Sequence, residues 1–188
     1  MKRSQINQAI IDATHYFTTN CWVLPPNPKW DVTDFGLGRF ESEGLVLIDL
    51  ASEPEYCEKL MYAKKNQVTP QHYHKQKKED IICRVGILAL VLWSENKDDA
   101  NQTLEVQING VKSVIESGTE IILQAGERIT IWPYQWHKFY PLSEECIIGE
   151  VSTANDDVND NFFSDDQIGR YPEIVEDEPA LLKLLSDK

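Results

Sequence analysis

The octapeptide His72-Tyr73-His74-Lys75-Gln76-Lys77-Lys78-Glu79 decides how the rest of this chain is read. Two imidazoles stand two residues apart, and a carboxylate follows five residues after the second. On a β-strand side chains alternate with period two, so His72 and His74 share a face. A turn or loop after His74 can then bring Glu79 round to the same point. A third imidazole is available far downstream, at His137 in Trp132-Pro-Tyr-Gln-Trp-His137. The chain has only four histidines, and this scheme uses three of them. Three nitrogens and one carboxylate oxygen leave two positions open on a six-coordinate divalent ion, enough for a bidentate small molecule.

Outward from this stretch, residues 39–152 read as strand after strand with turn signals between them. The expected strands are Gly44–Leu50, Lys59–Ala63, Thr69–Tyr73, Ile81–Trp93, Thr103–Ile108, Ser113–Leu123, Glu127–Trp132, His137–Pro141 and Cys146–Ser152. Asn109-Gly110, flanked by alternating apolar residues, is a strong hairpin signal. Many short strands at this spacing imply an antiparallel sandwich or barrel. Residues 3–19 read as a helix with Ser4 as N-cap and Ile6, Ala9, Ile10, Ala13 and Phe17 as its apolar stripe. His15 falls beside that stripe and stays out of the site. Pro25-Pro26-Asn27-Pro28 breaks regular structure before Trp30. In the tail, Pro179 to Leu185 is expected to form a short helix. The tail aromatics Phe162, Phe163 and Tyr171 suggest that this acidic segment packs back on the core.

Composition narrows the partners. At 188 residues, with 41% hydrophobic and 26% charged content, the chain is expected to be one domain with a core of its own. A formal charge of −13 argues against nucleic acid, because phosphate binding needs a basic surface. No stretch approaches the roughly 18 apolar residues that span a bilayer. Four cysteines without a CxxC pair read as reduced thiols, and the expected location is the cytoplasm. Imidazole with carboxylate suits manganese, iron, cobalt, nickel or zinc, and ligand type alone does not choose among them.

The spacing also resembles the first cupin motif, G-x5-HxH-x4-E-x6-G. Asn66 stands at the first glycine position, where asparagine tolerates a left-handed turn, and Gly86 stands at the last. The second motif is looser: Gly126, Pro133 and His137 are present, with the proline one residue nearer the histidine than usual. Within the cupins the chain resembles the D-lyxose isomerase family from end to end. The strings that carry this are Trp30-Asp-Val-Thr-Asp-Phe-Gly-Leu-Gly38, Pro70-Gln-His-Tyr-His74, Lys77-Lys-Glu-Asp-Ile-Ile82 and Gly149-Glu-Val-Ser152. Asn155-Asp-Asp157 with Asp160-Asn161, and Gly169-Arg-Tyr-Pro-Glu173 with Glu176-Asp-Glu-Pro179, complete them. Two departures bear on sugar preference: a glycine-rich stretch is reduced to Cys83-Arg-Val-Gly86, and Phe162 stands where arginine is expected.

The resemblance implies a mainly β cupin barrel (double-stranded β-helix or jelly roll) in a single domain. Residues 1–38 form a helix and aromatic loop, 39–152 the barrel, and 153–188 an extension packed on it. It implies His72, His74, Glu79 and His137 as ligands of a divalent metal, with manganese first among the candidates. The implied reaction is aldose–ketose isomerisation through a cis-enediol, interconverting D-lyxose and D-xylulose, with D-mannose and D-fructose as a further pair. Glu150, on the last expected strand, is the candidate base, and Lys77 the group that protonates or polarises the sugar oxygen. Lys59, Trp30 and Asp34 are candidates for the pocket wall, and Asp160, Arg170 and Glu173 for its mouth. Glu173 is the rival for the base. A homodimer binding a small sugar is expected. The competing readings are a cupin dioxygenase or decarboxylase with the same ligand set, and a non-enzymatic sugar-binding cupin.

Overall fold

The computed structural model describes residues 1–99, 101–153, 156, 159–169 and 173–187. Among them run helix α1 (Arg3–Thr19) and thirteen strands. These are β1 (Lys29–Thr33), β2 (Leu45–Ser52), β3 (Tyr56–Lys64), β4 (His72–Tyr73), β5 (Glu79–Val85), β6 (Ile87–Trp93) and β7 (Thr103–Ile108). They continue as β8 (Val111–Glu116), β9 (Thr119–Gln124), β10 (Arg128–Ile131), β11 (Trp136–Pro141), β12 (Glu145–Thr153) and β13 (Phe162–Phe163). One sheet has the order β1-β2-β3-β12-β5-β10-β7-β8 and the other β13-β4-β11-β6-β9, with antiparallel pairing between neighbours. The two sheets face each other as a cupin barrel.

Alternation along each strand divides the apolar residues between two cores. Met61 and Ala63 of β3, Ile81 and Cys83 of β5, Leu88, Leu90 and Leu92 of β6, and Ile148 of β12 fill the barrel. Their neighbours Leu60, Tyr62 and Ile147 point outward. There they meet Ile6, Ala9, Ile10, Ala13 and Phe17 of α1, all buried. The large sheet is therefore buried on both faces where the helix lies, and its middle strands read as apolar runs. Burying each large side chain of this stripe stabilises the fold by roughly 1.5–3 kcal/mol.

Several expected boundaries move. The Ile81–Trp93 run is two strands, because Gly86 (φ +93°) turns the chain between the sheets. A Cβ there would collide with Ser143 Oγ and lie 2.8 Å from the Glu145 carbonyl oxygen. Ser113–Leu123 likewise divides at Gly118. The strand expected at Thr69–Tyr73 contracts to His72–Tyr73, while β1 and β13 lie where no strand was expected. Ser4 does not cap α1: Lys2 is the N-cap, and Ser4 donates its backbone N–H and hydroxyl to Asp177 at 2.9 and 2.7 Å. No helix forms over 179–185. The backbone there serves tertiary contacts instead, with Leu184 bridging to Trp30 and the Leu181 N–H donated to Asn7.

The acidic tail does return to the core. Leu184 is buried between helix and sheet, with Ile174 and Leu182 packed against the same cluster. Buried Arg3 forks onto Glu176 and Asp187, with its Nη2 2.7 Å from each carboxylate. Two bidentate carboxylates satisfy the guanidinium and fasten the end of the chain to the start of α1. Beside this clamp, Met1, Ile174 and Ser186 line the cavity at the open end of the barrel.

Candidate active site

The inward faces of four strands change character toward that open end. On β12, Cys146 and Ile148 give way to Glu150 and Ser152; on β5, Cys83 and Ile81 give way to Glu79. On β11 Phe139 gives way to His137, and on β3 Met61 gives way to Lys59. Register aligns these changes, since Glu150 pairs with Lys59, Ser152 with Glu79, and His137 with His72.

The three imidazoles meet at this end, with their ligand atoms within 4.8 Å of one another. Each Nδ1 faces a backbone carbonyl: His72 that of Pro70 at 2.8 Å, His74 that of Asp160 at 2.7 Å, and His137 that of Gln135 at 3.1 Å. A carbonyl only accepts, so each Nδ1 carries a proton, and in the neutral ring it is Nε2 that presents the lone pair. Burial above all, then His137 and His74, pushes His72 well below its ordinary pKa. Burial likewise holds His74 down, to about 4, against the pull of Glu79. Glu79 Oε1 lies 3.0 Å from His137 Nε2 and 3.6 Å from His74 Nε2. Neutral Nε2 atoms have nothing to donate to that oxygen, and all three atoms lack a hydrogen-bond partner despite full burial. Lone pairs converging without a proton between them repel unless a cation shares them. The donor set therefore fits a divalent cation, with backbone carbonyls fixing the tautomers as an outer shell does in metal sites.

The other Glu79 oxygen is engaged by Lys77, whose Nζ lies 2.7 Å from Oε2 and 3.1 Å from Glu150 Oε1. Lys59 Nζ stands 4.0 Å from the same Glu150 oxygen. Burial works to raise the Glu79 pKa, but the Lys77 ammonium opposes it first, and the carboxyl lies well below its usual range. All four of these charged side chains are buried and line one cavity together with His72. Leu47, Met61, Phe139 and Phe163 supply part of its apolar wall.

The remaining expected residues are placed differently. Trp30 is buried on the other side of β1, its ring 6.4 Å from that of Phe17, and does not line the cavity. Asp34 caps its own turn, accepting the N–H groups of Gly36 and Gly38 at 3.0 and 3.2 Å. Asp160 is buried and accepts backbone N–H groups from Lys75, Gln76 and Lys77. Glu173 is exposed and off the cavity wall. Arg170 lies outside the described residues. Among the wall residues not anticipated is Asp31, a buried carboxylate that lines the cavity. Alternation would have found it, had Lys29–Thr33 been read as a strand with Trp30 toward the helix.

Comparison with known proteins agrees with this geometry. The D-lyxose/D-mannose isomerase of Escherichia coli O157:H7 is 34% identical, over 100% of this chain and 98% of its own. That of Serratia proteamaculans is 32% identical over 95% and 94%. The ligand-free L-ribose isomerase of Cellulomonas parahominis superposes with a TM-score of 0.69 at 16% identity, covering 89% of this chain and 94% of its own, which speaks to the fold alone. The family model for D-lyxose isomerase matches residues 27–188, so helix α1 stands outside it while barrel, site and tail stand within, and the chain belongs to the D-lyxose isomerase family.

Proposed function

We propose that this protein is a metal-dependent aldose–ketose isomerase that interconverts D-lyxose and D-xylulose, with D-mannose and D-fructose as a second pair. The names of its relatives support the sugars. The observation that carries the mechanism is the buried chain Glu79–Lys77–Glu150, which puts a carboxylate and an ammonium beside the imidazole cluster in one cavity.

Glu150 is the base. It takes the C2 proton of the aldose, the electron pair of that bond forms the C1=C2 bond of the cis-enediol, the carbonyl π pair moves onto O1, and O1 takes a proton from the Lys77 ammonium. Glu150 then returns its proton to C1 while the O2 hydroxyl gives its own back to Lys77 and the C2 ketone forms. Lys77 donates to whichever sugar oxygen carries the developing negative charge, in a site dry enough to make that interaction strong. Lys59 and Asp31 hold hydroxyls farther along the chain of the sugar. A divalent ion held by His72, His74, Glu79 and His137, manganese ahead of zinc, iron, cobalt and nickel, supplies Lewis acidity toward the carbonyl when bound.

The protein works as a single domain and a homodimer in the cytoplasm. No helix among the described residues is long and apolar enough to cross a membrane, and all four cysteines are free thiols. The deciding experiment loads the protein with each metal and assays aldoses and ketoses, D-lyxose and D-mannose first, in deuterated water. Ketose formation on either sugar supports the reading; no turnover on any aldose or ketose by metal-loaded protein sinks it.

A further inference from the structure

Asp160 neither lines the cavity nor is itself a candidate ligand, yet it meets both the imidazole cluster and the loop that carries Lys77. Its carboxylate collects three consecutive backbone N–H groups: Lys75 at 2.8 Å, Gln76 at 3.2 Å and Lys77 at 2.9 Å. Successive N–H groups turned on one anion form a nest, and hydrogen bonds to a carboxylate are roughly twice as strong as neutral ones. Its backbone carbonyl accepts the Nδ1 proton of His74 at 2.7 Å. The residues that follow zip onto the same segment. Phe162 and Phe163 of β13 pair with Tyr73 and His72 of β4, and the Ser164 N–H is donated to Gln71. Phe162 stacks on Tyr73 with ring centroids 5.0 Å apart, and Phe163 lines the cavity.

We propose that Asp160 is a positioning residue for the metal centre, acting through His74 and Lys77, so that metal binding and docking of residues 159–164 form one linked equilibrium. Without the Asp160 carbonyl, His74 loses what fixes its ring and tautomer. Without the carboxylate, the loop that aims Lys77 between Glu79 and Glu150 loses three donors' common anchor. Linkage is reciprocal: whatever factor docking adds to metal affinity, metal adds to docking. The inference rests on the metal centre proposed above, and not on which sugar is turned over.

The test compares wild type with Asp160→Asn, which keeps the size but puts amide donors against backbone donors. Affinity for Mn²⁺ and Zn²⁺ alone is measured by calorimetry, beside KM and kcat at saturating metal. Metal affinity is expected to fall by about 10–100-fold, the range for loss of an outer-shell partner. Unchanged metal affinity in folded variant, whether stability or KM alone suffers, overturns the proposal; a lone rise in KM marks Asp160 as a sugar contact. Wild-type protein supplies a second arm that needs no variant. Saturating Mn²⁺ should slow hydrogen exchange at the amides of Lys75, Gln76, Lys77 and Ser164, and unchanged rates there overturn the linkage. If no sugar is turned over but both effects appear, the isomerase reading fails and this inference stands.

Discussion

The closed and open ends of the barrel are built on the same strands and differ by one step along them. At the closed end Ile148, Ile81, Phe139 and Met61 pack against Leu88 and Leu90, all buried and all apolar. One alternation further, Glu150, Glu79, His137 and Lys59 occupy the same inward face. The first end is stabilised by removing apolar surface from water. The second must desolvate five charged side chains, counting Lys77 and Asp31, and orphan three ligand atoms. That cost is met by ion pairs, by the backbone bonds to the imidazoles, and by whatever the cavity binds. Fold and function are thus separated along a strand rather than between domains.

Substitutions at the two ends should break apart cleanly. The largest effect is expected from His74→Ala, which removes a ligand: metal content and isomerisation should vanish together. Full turnover by that variant with no bound metal would contradict the ligand assignment. Next comes Glu150→Gln, which keeps the metal but should slow exchange of the C2 proton with solvent by about 10²–10⁴-fold, the usual worth of a positioned base. Unaltered exchange moves the base to another carboxylate. At the closed end, Leu90→Ala should cost about 2–5 kcal/mol by leaving a cavity, read as a lowered urea midpoint, with metal affinity unchanged. A large loss of metal affinity there would deny the separation of the two ends. Asp31→Asn, on the far wall, should raise KM by about tenfold and alter the ratio of D-lyxose to D-mannose turnover, since a hydrogen bond to a charged group is worth about 1.5–3 kcal/mol. Identical kinetics on both sugars would remove Asp31 from the substrate site.

The smallest effect concerns the Arg3 clamp. Arg3 depresses Glu176 directly; at Asp187 burial pushes upward, but Arg3 together with the Leu184 N–H outweighs it, so both carboxyls titrate below their ordinary values. A depressed carboxylate contributes stability that is present above its unfolded pKa, near 4, and is lost as pH falls through the lower folded value. Metal-free protein should therefore lose stability below about pH 4 more steeply than an Arg3→Met variant, in urea titrations at stepped pH. Equal slopes would mean that the clamp contributes nothing.

Much of the site was legible without coordinates, and the reasons are local. HxH on an extended segment places two imidazoles on one face by alternation alone, and Gly86 and Asn66 mark turns through their backbone requirements; both take positive φ, +93° and +74°. The Asn109-Gly110 hairpin, also in the left-handed region, falls between β7 and β8 with Ile108 opposite Val111. Family strings led to Lys77 and Glu150. What misled was the assignment of faces and ends. Pro25 to Pro28 hid the strand that follows, so Trp30 was expected at the pocket and Asp31 was passed over. The leucines of 181–185 resembled a helix end because helical periodicity over so few residues cannot be told from scattered tertiary contacts.

By itself the sequence determined the class of fold, the donor types and the family, because alternation, turn chemistry and ligand spacing are properties of short segments. Only the tertiary structure decided which carboxylates share a cavity with the imidazoles and which are consumed by backbone. Asp31 and Glu150 line the cavity, whereas the same group on Asp34 accepts N–H groups of its own turn and on Asp160 those of residues 75–77. Whether a carboxylate is structural or chemical depends on what reaches it from distant strands, and that is settled by register and packing across the sheets.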